Sequence, residues 1–221
     1  MIKRIIVLGN GPSRKAYPRP IETDDQVFCI NHWYAQENPL TCTDWMIGEH
    51  NEAVLPVIAY KTALATAGKI GGTIWLPGLN MDRCEKIRDA VKPLPVRIQR
   101  LFTGLAPRCR WEADPKPRRP LNGSLALAVA AGMQPDELIV AGIDLYQHPG
   151  GSYNTAIPPP DYTDAFPRQY TTNQHHTHNL IADVKYIRHA LESYKGKLIC
   201  YGSAMKRLYS ESFKQWEFCD G

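Results

Sequence analysis

Residues 3–8, Lys-Arg-Ile-Ile-Val-Leu, form a short β-branched run that breaks at Gly9-Asn10-Gly11-Pro12-Ser13. A run without polar alternation suits a parallel strand buried on both faces, and a Gly-rich turn after it is the usual opening of a doubly wound α/β fold. The glycines let backbone approach a ligand, and Ser13 can cap whatever helix follows. The turn lacks the third glycine of GxGxxG, so it marks a nucleotide or phosphate site, or a tight turn alone, rather than the dinucleotide fingerprint.

The same punctuation recurs. Residues 25–30 (DQVFCI) read as a second strand that stops at Asn31, and residues 43–47 (TDWMI) as a third that stops at Gly48-Glu49-His50-Asn51. An amide just past a strand end can address a base or a ribose, or simply shape a turn. Asn51 can cap a helix-like stretch over 52–67. Residues 71–76 (GGTIWL) are a further strand candidate, 81–91 carry helical spacing, and one strand falls within 93–102. Residues 114–120 form a basic, proline-broken loop.

Asn122 opens a small-residue helix, NGSLALAVAAG, ending at Gly132. Its alanines allow close packing on a sheet, and its N-terminus offers unpaired N–H groups to an anion. Ser124, in the first turn, suits a capping role or a ligand contact equally.

Residues 137–141 form a strand that gives out at Gly142. A polar cluster follows at once: Asp144, Tyr146, Gln147, His148, Ser152 and Tyr153. A proline- and aromatic-rich stretch then runs without periodicity to His175, His176 and His178. We expect a lid over 147–177, because a loop of this length inside a compact domain usually serves a site. Apolar spacing predicts an amphipathic helix over 179–194, then a strand over 197–201 and a short helix in the 203–218 tail. The sequence therefore reads as α/β: one Rossmann-like domain over 1–221, with a mainly parallel sheet flanked by helices and a lid inserted into it.

Composition excludes several classes. At 221 residues, 43% hydrophobic and 22% charged, the chain is ordinary for a globular domain, and no apolar run approaches the roughly 18–20 residues that span a bilayer. The apolar part of residues 1–10 is too short for a signal peptide, so a cytoplasmic location is expected. Six dispersed cysteines without a CxxC pair read as small buried hydrophobes. A net charge of +4 is mild for a nucleic-acid binder and suits an anionic small molecule or membrane surface.

HExxH, GxSxG and the P-loop pattern are missing, as is a well-placed DxD. Without acidic residues to hold a divalent ion, a leaving phosphate needs hydrogen-bond donors, and Tyr146 and Tyr153 are suitable. The three histidines make a poor zinc set, with no acidic partner at fixed spacing. One of them can serve as a general base near neutral pH, with His178, at the threshold of the amphipathic helix, favoured, or all three are solvated loop histidines.

Taken together, GNGPS after the first strand, Asn31 after the second, GIDLYQ…SY, and His178 followed by Asp183-Val184-Lys185 resemble the bacterial lipooligosaccharide sialyltransferases of glycosyltransferase family 42. The likeness covers about 1–34 and 119–209. It implies a Rossmann-like domain with a lid that moves sialic acid from CMP-sialic acid to a galactose-type hydroxyl, with inversion and without metal or other cofactor. By the same resemblance His178 is the general base, and Tyr146 and Tyr153 hydrogen-bond the leaving CMP phosphate. Asn10 and Asn31, with Gly11 and Ser13 of the turn, belong to the nucleotide site. The family's amide position after the third strand falls on Asn51 or on Glu49, which carries a carboxylate instead. Ser124 is a phosphate contact, Asp144 lies in the substrate site, and Arg119, or Arg118 beside it, touches the acceptor. The chain departs from the family by an extra residue at Pro149 between the tyrosines. The family also implies oligomers and peripheral membrane contact.

Two other readings use the same residues. The donor can be another CMP-activated sugar, Kdo or a different nonulosonate, or the chain can be a non-catalytic nucleotide-binding protein of the same fold. A Rossmann oxidoreductase is disfavoured without GxGxxG and an acidic ribose ligand.

Overall fold

The computed structural model describes residues 2–18, 20–30, 42–46, 70–76, 85, 88–89, 92, 97–100, 120, 122–145 and 180–220. The β-branched and aromatic runs form strands β1 (Arg4–Leu8), β2 (Gln26–Ile30), β3 (Cys42–Met46), β4 (Ile70–Leu76), β5 (Arg97–Arg100), β6 (Glu137–Ala141), β7 (Lys197–Tyr201) and β8 (Glu217–Cys219). They join in one sheet in the order β5-β4-β3-β2-β1-β6-β7-β8, and each neighbouring pair is parallel. The order reverses direction at β1. The chain steps outward from it through β2 to β5, then returns to lay β6 against its other edge, with Arg4 opposite Glu137 and Leu8 opposite Ala141. Such a switch point opens a crevice beyond the carboxyl ends of β1 and β6, where open α/β sheets bind ligands.

At its centre the sheet is buried on both faces. Ile5, Val7, Phe28, Ile30, Met46, Trp75, Leu138, Val140, Leu198 and Cys200 pack with the helices in a single core. The alternating residues Ile6, Leu8, Val27, Cys29, Trp45, Ile74, Ile139 and Ile199 are buried on the opposite face. That is why the strands read as continuous apolar runs rather than in period two.

The helices are α1 (Asn122–Gly132), α2 (Leu180–Glu192) and α3 (Ser203–Tyr209). α1 is buried all round from Ser124 to Ala131 and lies between the sheet and α2. Its alanines let it fit there, since larger side chains would push the sheet and α2 apart. It ends where Gln134 adopts a left-handed φ of 52° and donates its backbone N–H to Ala131, ahead of Pro135. The Gln134 amide then bridges to the end of α2, donating to the Ser193 carbonyl at 3.1 Å and accepting from the Lys195 N–H at 3.2 Å. At the amino ends of the strands, the buried Asp25 carboxylate accepts two hydrogen bonds from the Arg4 guanidinium, which clamps β1 to β2.

The tail departs from expectation. The helix in 203–218 stops at Tyr209, and β8 follows it as an eighth strand on the β7 edge. Phe213 and Trp216 pack in a tilted pair with centroids 4.9 Å apart, and the Trp216 indole donates to the Gly196 carbonyl at 3.0 Å, which turns the chain back into the sheet. Within the helix expected over 81–91, the described residues Glu85, Arg88 and Asp89 are helical, whereas the lid expected over 147–177 and the helix expected over 52–67 lie outside the described residues. Among the described residues, no helix is long and apolar enough to cross a membrane.

Candidate functional site

The crevice at the head of β1 is built by three chain passages. The first is the turn after β1, which continues into a short 3-10 helix, Pro12–Ala16. The second is the exit from β6, residues 142–145, and the third is Gly202 at the end of β7. The turn and the β6 exit are laced by backbone: Gly9 N–H donates to the Ala141 carbonyl at 2.8 Å, and Gly11 N–H to the Gly142 carbonyl at 2.9 Å. Two glycines are required here. Gly142 has a φ of 75°, and a Cβ on it would stand 2.6 Å from the Gly9 carbonyl oxygen. A Cβ on Gly11 would collide with the Asp144 carboxylate, whose carboxyl carbon would lie 2.9 Å away.

Side chains complete the lacing. Ser13 N–H donates to Asp144 Oδ2 at 2.9 Å, and Ser13 Oγ accepts from Gly142 N–H at 2.9 Å. Both residues are buried, at 1% and 3% exposure. Asn10 donates from Nδ2 to the Ile30 carbonyl at 3.0 Å and so ties the turn to the end of β2. That carbonyl can only accept, which fixes the orientation of the amide and leaves Oδ1 as its acceptor. Oδ1 of Asn10 and Oδ1 of Asp144 are enclosed and have no hydrogen-bond partner among the described residues.

Leu145, the last described residue of the β6 exit, has a φ of 50° and a buried side chain. A left-handed leucine costs on the order of 1–2 kcal/mol, which its packing in the core offsets. The residue that follows is Tyr146.

Arg14 does not stand out in the sequence, yet it belongs to this corner. Its guanidinium is buried, donates to the Gly9 carbonyl at 3.3 Å, and leaves Nη2 without a partner. Burial pulls its pKa below the ordinary arginine value, and the ionisable groups that act on it are the thiols of Cys29 and Cys42. No carboxylate pairs with it among the described residues. The one signal for it in the sequence is an arginine directly after a serine that must turn inward.

The start of α1 reaches the same end of the sheet, since a Cβ on Gly123 would meet Ile143 Cδ1 at 3.0 Å and Ile30 Cδ1 at 3.7 Å. Ser124, one residue on, is 1% exposed and donates its hydroxyl proton to Asp183 Oδ1 at 2.6 Å. In this arrangement Ser124 joins the first turns of α1 and α2. The structure thus brings together Asn10, Gly11, Ser13 and Asp144, and sets Ser124 to an internal bond. Asn31, Asn51, Arg119, Tyr146, Tyr153 and His178 lie outside the described residues.

No protein-family model matches the chain, and no curated protein matches it in sequence. Its fold is shared with solved structures of sialyltransferases. It is similar to the sialyltransferase CstII from Campylobacter jejuni in complex with the substrate analogue CMP-3FNeuAc, with a TM-score of 0.60 and 18% identity over 93% of this chain and 84% of that one. A CstII variant in complex with CMP gives a TM-score of 0.60 and 18% identity over 91% and 81% of the two chains. The monofunctional alpha-2,3-sialyltransferase Cst-I from Campylobacter jejuni gives 0.58 and 15% identity over 91% and 76%. The chain shares the fold of these sialyltransferases.

Proposed function

We propose that the protein is a glycosyltransferase that moves sialic acid from CMP-sialic acid to a galactose-type hydroxyl of a glycan. The observation that carries this reading is the fold shared with CMP-bound sialyltransferases across more than nine-tenths of the chain. It is supported by a polar, glycine-laced crevice at the switch point of the sheet, where such folds take their ligands.

In the mechanism, His178 removes the proton of the acceptor hydroxyl as its oxygen attacks the anomeric carbon. The bond from that carbon to the phosphate oxygen breaks, and CMP departs with the electron pair. Tyr146 and Tyr153 donate hydrogen bonds to the departing phosphate, where its charge is greatest in the transition state. Arg119 meets the acceptor. A single displacement of this kind inverts the anomeric centre and needs no divalent ion, because the tyrosines do the work of charge stabilisation.

The test is a donor screen. The protein is incubated with CMP-sialic acid or CMP-Kdo, with and without galactosides, and CMP release is measured. The reading expects galactoside-dependent release from CMP-sialic acid, and a loss of about 100-fold or more in His178→Ala at neutral pH. Release from CMP-Kdo alone would move the assignment to that donor, and release from neither would sink the enzyme reading. EDTA should leave turnover unchanged.

A further inference from the structure

We infer that Arg14 is a positioning residue that lets this crevice take an anionic ligand: its buried guanidinium offsets the charge of Asp144 and, through the Gly9 carbonyl, strengthens Asn10 N–H as a hydrogen-bond donor. The inference rests on the nucleotide-sugar reading above, which supplies the anion.

Asp144 and Arg14 are the buried charged side chains of this corner among the described residues. Asp144 spends Oδ2 on Ser13 N–H, and its Oδ1 stands beside Gly202, where a Cβ would lie 3.1 Å from it. Left alone, that carboxylate would repel an anion entering the crevice, because charges away from bulk water are poorly screened. Arg14 supplies the opposite sign. A guanidinium keeps its proton in a protein, so the charge is fixed.

Holding the turn does not require a charge, since any N–H donor would satisfy the Gly9 carbonyl. The guanidinium uses Nη1 on that carbonyl at 3.3 Å and leaves Nη2 without a partner. Burial disfavours its charged form, which is why its pKa falls below the ordinary arginine value. An unpaired buried cation destabilises a fold, so it fits a residue kept for a ligand rather than for packing.

The carbonyl it touches belongs to the Gly9–Asn10 peptide. In a trans peptide the N–H points away from the C=O, so Asn10 N–H lies on the side opposite the guanidinium. The N–H groups of Gly9, Gly11, Ser13 and Arg14 are taken, by Ala141, Gly142, Asp144 and Gly11. Asn10 N–H has no hydrogen-bond partner among the described residues. A charged donor on the carbonyl polarises the peptide and makes its N–H the stronger donor. The turn thus keeps one unbonded N–H, and it is the one backed by the cation.

Calorimetric titration of the full chain with CMP and with cytidine tests this in the wild type, Arg14→Gln and Arg14→Lys. Gln keeps an N–H donor for Gly9 and removes the charge, whereas Lys keeps the charge. The wild type should bind CMP at least about 10-fold more tightly than cytidine. Arg14→Gln should lose most of that preference by weakening CMP while cytidine stays within about twofold, and Arg14→Lys should restore it. The urea midpoint of Arg14→Gln should equal or exceed that of the wild type, because an unpaired buried charge is gone. A Gln variant that keeps the wild-type preference, or that weakens both ligands equally, makes Arg14 a structural tie and overturns the inference. If that variant does not fold, the Asn10 amide resonance of the isotope-labelled wild type decides. It should move further with CMP than with cytidine, and equal movement overturns the inference. A wild type that binds neither ligand removes the nucleotide-sugar reading and the inference with it, whereas a wild type that binds both without preference removes the inference alone.

Discussion

Asp44 shows how a single side chain can be satisfied and still titrate out of range. It is 3% exposed and has no cation beside it among the described residues. It accepts from Trp75 Nε1 at 2.8 Å, Gln26 Nε2 at 2.8 Å and Thr43 Oγ1 at 2.9 Å, so one carboxylate joins β2, β3 and β4. Burial raises its pKa, and the three donors only partly oppose the rise. With the folded pKa above the unfolded one, its contribution to stability is fully present below about pH 4 and is lost as pH rises through the folded value. Asp44→Asn removes this titration. Urea melts from pH 4 to pH 7 should therefore show the wild type losing stability relative to the variant as pH rises, and a pH-independent difference would contradict the assignment. Gly11 is the residue-scale check on the site itself. Gly11→Ala drives a methyl group into the Asp144 carboxylate and should cost about 1–3 kcal/mol by denaturant melt, with loss of CMP binding.

Between elements, the bond from Ser124 to Asp183 bears most directly on the site. It joins the first turn of α1, which touches the crevice through Gly123, to the first turn of α2, which follows His178 in the chain. Ser124→Ala leaves a buried carboxylate short of one donor and should destabilise the protein by about 1–3 kcal/mol. Asp183→Asn should weaken the same link. In a double-mutant cycle the two should couple by more than about 0.5 kcal/mol, whereas independent effects would mean that the bond is not maintained in solution. Such elements were largely legible in advance. β1, β2, β6 and β7 are apolar runs bounded by glycine or amide residues, and α1 is bounded by Asn122 and Gly132. The strand in the tail was not legible, because Glu217-Phe218-Cys219 is too short to carry a period. Its strand character comes from pairing with Ile199 to Tyr201, not from its own composition.

Across the whole molecule, the sequence by itself determined the class of fold. Unalternating β-branched runs can only be buried on both faces, and that demands a parallel sheet with covering layers. It also marked Asn10, Ser13 and Asp144 as polar residues, and Gly11 as a turn glycine, just past strand ends, where an α/β sheet keeps its chemistry. Strand order was not legible, because side-chain periodicity says which face a residue takes and nothing about which strand lies beside it. Only the tertiary structure set β6 against β1, bringing Gly142 onto Gly9 and Asp144 onto Ser13 from about 130 residues away. That adjacency ties the N–H groups of Gly9, Gly11 and Ser13 to the end of β6 and its exit, partners that no local pattern in the turn announces because they lie far away along the chain.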